Sequence, residues 1–157
     1  MIDVVVTDEF FEHKEGSNLF GVVYIDAGEF VFPTTEWSDF VENVLSAWTN
    51  ELLRHEHDKM SHFTLYFMDG PYELDILKDG GGALAVRCVD HGRVKYETGC
   101  GYGDFLDAMG RALKSLNQIL LAKQGWNPDG PFAPSIAHNA ILMEKLVAAG
   151  KSHVFEK

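Results

Sequence analysis

The densest cluster of side chains able to do chemistry is Arg54-His55-Glu56-His57-Asp58, with His62 close behind. Histidines and carboxylates ligate zinc and similar ions when they converge on one point. A helix achieves this at a spacing of four and a strand at a spacing of two. His55 and His57 stand two apart at the predicted end of a helix, which splays their rings. The positions four residues on are Lys59 and Ser61, so the helical spacing is not met either. The cluster reads as a solvated helix terminus, where the dipole favours histidine. Neither a metal nor a cofactor is expected from it. A small metal- or ligand-binding enzyme domain built on His55, His57, His62 and Asp58 is one alternative, and a homo-oligomeric structural or interaction protein is the other.

Other arrangements are weaker. No Gly-x-Ser-x-Gly elbow occurs. Ser135 and His138 fall early in a predicted helix, where serine caps. Cys88 lies in an alternating apolar strand, which predicts a buried thiol without a base beside it. The run Gly99-Cys100-Gly101-Tyr102-Gly103 opens a helix but lacks the Lys-Ser/Thr of a phosphate loop. It reads as a turn. Carboxylates are plentiful, and acid–base catalysis needs two converging in one pocket, which spacing alone does not indicate. No catalytic residue is assigned.

The charge is more informative. The chain of 157 residues has a net charge of −11. Residues 1–75 contain 16 acids and 3 bases, a net of −13, whereas residues 76–157 contain 8 acids and 10 bases, a net of +2. Such a field repels phosphate backbones and attracts a basic protein partner. Solubility alone also accounts for part of the acidity. The expectation is a protein partner, with no nucleic acid and no membrane, for a chain that is a monomer or a homodimer. No apolar run approaches the ~18 residues of a spanning helix. The N-terminus lacks the basic start of a signal peptide. The 2 cysteines, Cys88 and Cys100, read as reduced thiols of a cytoplasmic protein.

These side chains need a scaffold, and the pattern predicts one domain over residues 1–157. Ile2–Val6, Leu19–Ile25 and Phe30–Phe32 read as strands, with Glu9–Asn18 a loop and Asp26–Glu29 a hairpin turn. Thr35 is the expected N-cap of a helix with Glu36 and Asp39 in its first turn. Trp37, Phe40, Val41, Val44, Leu45, Trp48 and Leu52 fall on one face of it. Strands follow at Phe63–Phe67, Tyr72–Ile76, Ala83–Val89 and Val94–Thr98, joined by short turns, which implies an antiparallel meander with one wet face. Two further helices are expected, one capped by Asp104 and one running from Pro134 to Gly150. The fold class is α+β, an antiparallel β-sheet packed against two or three α-helices.

The segment FPTTEWSDFVENVLSAW, followed by FTLYFMDGPYELDI, resembles a loose group of small bacterial proteins. Its members share a Phe-Pro, a Trp-x-Asp-Phe and a second Trp one helix-length on. The group includes immunity proteins of polymorphic toxin systems, among them contact-dependent growth inhibition. The resemblance spans residues 30–78, with an echo at GYGDFLDAMGRAL. It implies neutralisation of a cognate toxin domain, often a basic nuclease, in the cytosol. No interface residue transfers by motif, so candidates come from acids outside the predicted core. These are Asp8, Glu9, Glu12 and Glu15 in the first loop, Asp26 and Glu29 at the hairpin, and Glu73 and Asp75 on the alternating strand. Exposed carboxylates can mimic the phosphates that a nuclease site holds.

Overall fold

A computed structural model describes residues 1–13, 19–125 and 127–155, with side chains up to residue 151. Eleven elements follow one another: β1 (Asp3–Glu12), β2 (Phe20–Asp26), β3 (Val31–Phe32), β4 (Ser38–Asp39), α1 (Val41–Arg54), β5 (Ser61–Tyr66), β6 (Tyr72–Lys78), β7 (Ala83–Asp90), β8 (Arg93–Gly101), α2 (Tyr102–Gln124) and α3 (Ala133–Phe155). The strands form two antiparallel sheets rather than one. In the first, β1 and β2 pair along their length, while β3 and β4 share the other edge of β2. The second is the expected meander, β5-β6-β7-β8.

The helix after the first hairpin starts later than its sequence suggests. Thr35 and Glu36 form a turn instead of a cap, in which the Trp37 N–H donates to the Thr34 carbonyl at 3.2 Å. The reason is tertiary. One half of the β2 edge is left open by the short β3, and residues 37–39 fill it. Val23 N–H donates to Trp37 O at 3.0 Å, and Gly21 and Val22 pair with Asp39 and Ser38. The helix therefore begins at Val41, and Glu42 is the acid in its first turn.

Asp39 is consequently no dipole charge but a fully buried acceptor. It takes the Trp37 indole N–H at 3.0 Å, the Phe40 N–H at 2.7 Å and the Asp69 N–H at 3.3 Å. Burial raises its pKa, and the three donors oppose that rise. The carboxylate thereby ties the first sheet to the β5–β6 turn. At that turn Gly70 has φ 71°, and an added Cβ would lie 2.8 Å from the Trp37 ring, so only glycine fits.

Two other boundaries move. β1 runs on through the predicted loop to Glu12, and β8 runs on to Gly101, so α2 starts at Tyr102 and Asp104 sits in its first turn rather than at its cap. The last helix continues past Gly150 to Phe155. Gly125, with φ 72°, ends α2.

The core lies between the sheets and the helices. Val44, Leu45, Trp48 and Leu52 of α1 are buried, as are Phe105, Met109, Leu113 and Leu116 of α2. Against them the second sheet turns Phe63, Leu65, Leu74, Ile76, Leu84, Val86 and Cys88. Each such large side chain contributes about 1.5–3 kcal/mol by leaving water. Lys78 faces the same way and is buried. Its ammonium donates to the carbonyls of Glu56 and Asp58 and lies 5.0 Å from the Tyr102 ring centre. The Tyr102 hydroxyl donates to Leu52 O at 2.6 Å. Together they bond carbonyls in the last turn of α1 and just beyond it.

Replacing Asp39 by Ala strips three donors, all in partly buried hydrogen bonds, of their acceptor. The Asp39→Ala variant is expected to lose about 2 kcal/mol or more of unfolding free energy, read from the urea midpoint at unchanged slope. An unchanged midpoint would show that Asp39 does not join the sheets.

Candidate partner-binding surface

The acids proposed from sequence divide between two regions. Asp8, Glu9 and Glu12 lie on β1, all exposed. The pairing jumps from Thr7↔Val22 to Glu12↔Phe20, so five steps on β1 oppose two on β2. The surplus residues bulge out of the ladder. Phe10 within the bulge has φ 54° and is 65% exposed, unusual for an aromatic side chain. Glu15 lies outside the described residues. Asp26 and Glu29 flank the first hairpin, where Asp26 accepts the Gly28 N–H at 2.8 Å and so has a turn-forming duty of its own. Burial and the carboxylates of Asp26 and Glu9 raise the pKa of Tyr24. The fold thus brings these two acids, distant in sequence, around one phenol.

Glu73 and Asp75 stand on the other sheet. Alternation along β6 turns them away from Leu74 and Ile76, onto the face that the helices leave uncovered. The residues opposite one another there are Thr64, Asp75, Arg87 and Glu97, one from each strand. Arg87 Nε lies 3.5 Å from Glu97, and Asp75 bonds the His62 ring. Exposed Tyr66, Leu77 and Val94 border this polar row. The face therefore mixes charge with apolar area, as interfaces do.

The histidine cluster does not assemble. His55 lies flat on Phe63 at 4.4 Å, with Nδ1 2.7 Å from Asp58 and Nε2 3.0 Å from Glu51. His57 points to solvent beside Glu56, and His62 turns to Asp75 on the outer sheet face. Asp58 thus joins only one of the three histidines. Among the described residues no group of three or more His, Cys, Asp or Glu is arranged to hold a metal ion.

Ser135 and His138 also part company. Ser135 donates to Glu42 at 3.1 Å and His138 bonds Ser46 at 3.2 Å, two links that clip α3 to α1. The glycine run before α2 is spent on the fold, since the Tyr102 N–H donates to Gly82 O at 2.8 Å. Beside it lies a cleft of about 1220 Å³ between α2 and α3, floored by Leu106, Met143, Leu146 and Val147 with Arg111 and Lys114 at its rim. Sequence reasoning missed this cleft. The pattern of the last helix sets Ile136, Ala140, Met143 and Val147 on one core face, but the structure buries Leu142, Leu146 and Ala149 instead and leaves Val147 57% exposed beside the cleft.

Cys88 and Cys100 are both free and face different partners across the β7–β8 ladder, Tyr96 and Leu84. Burial raises Cys88 to about 12 and Cys100 to about 11. No helix among the described residues is long and apolar enough to cross a membrane.

The thiolate is the reactive form, so both native thiols should resist a chromogenic disulfide reagent near neutral pH and react at once in urea. Fast modification of the folded chain would contradict the packing of β7 and β8. Neither a family model, nor a curated protein, nor a solved structure matches this chain.

Proposed function

We propose that this chain is an immunity-type antagonist, which binds a basic toxin domain encoded beside it and blocks that domain in the producing cell. The observation that carries the reading is a surplus of acid that no lysine or arginine compensates, exposed at Asp8, Glu9, Glu12 and Glu29 and half-buried at Asp26, Glu73 and Asp75. Among the described residues, Asp8, Glu9, Glu12, Asp26, Glu29, Glu73 and Asp75 form no ion pair with a lysine or arginine. Acids kept for stability are ordinarily paired or capping; of these seven only Asp26 bonds a turn N–H and Asp75 a histidine. Unpaired carboxylates grouped around Tyr24 suit a partner that brings its own cations. A nuclease does so, because its site is built to hold phosphate. The sequence resemblance described above points the same way.

A second reading rests on the α2–α3 cleft, whose apolar floor and size suit a small ligand. It makes the chain a ligand-binding or small enzyme domain. Native mass spectrometry of freshly purified protein separates the two: a stoichiometric bound small molecule favours the second.

Co-expression with the neighbouring toxin domain is expected to protect cells. Reversing charge at Glu9 and Asp26 together should weaken the complex by about tenfold or more, chiefly through slower association at low salt. Raising salt should shrink the difference, because the steering field is screened beyond about one Debye length. Equal killing with and without this chain would end the antagonist reading.

A further inference from the structure

Among the described residues no strand pairs with the outer edge of the second sheet at β5. β5 pairs with β6 on one side only. Beyond the strand end, Phe67 N–H donates to Tyr72 O at 3.2 Å, which makes 67 and 72 a hydrogen-bonded pair. Such pairs alternate in an antiparallel ladder. The backbone groups of Ser61, Phe63 and Leu65 therefore turn toward β6. Those of His62, Thr64 and Tyr66 turn outward. A second contact supports that parity: the Tyr66 carbonyl accepts the Trp48 indole N–H at 2.7 Å, from the side away from β6. The remaining outward groups are the N–H of His62, Thr64 and Tyr66 and the carbonyls of His62 and Thr64. Among the described residues none of these five has a partner.

Exposed edges usually carry a device against pairing: a lysine, a proline or a bulge. The outer strand at the far side, β8, has Arg93, Lys95 and a register shift opposite Val89. β1 has its own bulge. β5 reads Ser-His-Phe-Thr-Leu-Tyr and has none of the three. Alongside it, between α1 and the strand, runs a groove of about 300 Å³ lined by Ala47, Trp48, Glu51, Leu65, Tyr66 and Met68. Tyr66 and Met68 are 56% and 42% exposed.

We propose that this edge receives an extended segment of a protein partner, which adds to the sheet as a fifth strand. Its backbone would bond His62, Thr64 and Tyr66. Successive side chains would then face opposite sides. One set enters the groove over Trp48 and Leu65, where apolar side chains fit, with Glu51 among the groove's lining residues. The other set shares the outer face with Glu73 and Asp75, the β6 residues opposite Tyr66 and Thr64, and is completed by lysine or arginine. The segment therefore alternates basic and apolar residues. A second copy of this chain fits poorly, because its own β5 would bring another acidic surface from a chain of net charge −11. The inference deepens the antagonist reading by naming a docking edge, and rests on that reading only for the partner's identity.

A displayed library of short random peptides, panned on the full chain, tests it. Bound peptides should alternate basic and apolar residues, and should shift the amide signals of His62, Thr64 and Tyr66 most. The Thr64→Pro variant removes one outward donor while leaving the β5–β6 bonds intact, as proline allows on an edge. It should keep the native spectrum and weaken peptide binding by about tenfold or more. His62→Pro follows the same logic and serves if Thr64→Pro does not fold. Peptides that bind either folded variant undiminished, shifts confined to another surface, or an absence of binders would overturn the proposal. So would self-association that Thr64→Pro abolishes, which would make the occupant a second copy. Toxin protection unaffected by Thr64→Pro would sink strand addition and spare the antagonist reading. Peptide binding at β5 without protection would do the reverse.

Discussion

Both sheets depend on the burial of one helix face, and Trp48 is its centre. The indole is 1% exposed, meets Phe67 edge-on at 5.0 Å and spends its N–H on the Tyr66 carbonyl. Neither sheet could persist alone. The first has two full strands and two fragments, and the second is wet on one side. A small antiparallel sheet needs an apolar partner for its inner face. Helices α1 and α2 each pack against both sheets, and α3 lies on those two helices. An aromatic seam continues the joint outward, with Phe32, Trp37 and Phe67 each meeting the Tyr72 ring edge-on.

The polar groups buried by this arrangement follow from it. Asp39 is held by three donors that the joint between sheets would otherwise strand. Lys78 comes from the inner face of β6, where alternation requires it to point at the core. Its long stem lets the ammonium reach backbone oxygens at the end of α1, so the charge is solvated by the protein instead of water. In both cases a group that composition lists as surface charge has become internal wiring. The acids proposed for the partner surface form no ion pair with a lysine or arginine among the described residues, and they lie on the β1 bulge, at the first hairpin and on the open sheet face.

Sequence was most informative where one local rule decided the outcome. The period of the apolar residues gave α1 its buried face, and the short turns at Asp69-Gly70 and His91-Gly92 gave the meander. It was least informative where a distant strand competed. Thr35 had every local mark of a cap, yet the open half of β2 drew Trp37 through Asp39 into a ladder. A run of ten residues in β1 looked like strand and loop because its bulge interrupts the alternation. The histidines looked like a cluster because they are close along the chain, whereas Phe63 and Glu51 hold His55, Asp75 holds His62 and His57 faces solvent.

Composition and spacing alone determined the class of fold, the uneven charge and the absence of a recognisable catalytic signature. All three are sums or local periods, which need no knowledge of which elements meet. Only the tertiary structure decided that the strands split into two sheets, that Asp39 and Lys78 are consumed inside, and that no strand among the described residues pairs with the outer edge of β5. Those outcomes depend on which edge finds a partner first in space. The same alternating residues that make β5 a strand would serve equally at the middle of a sheet or at its rim.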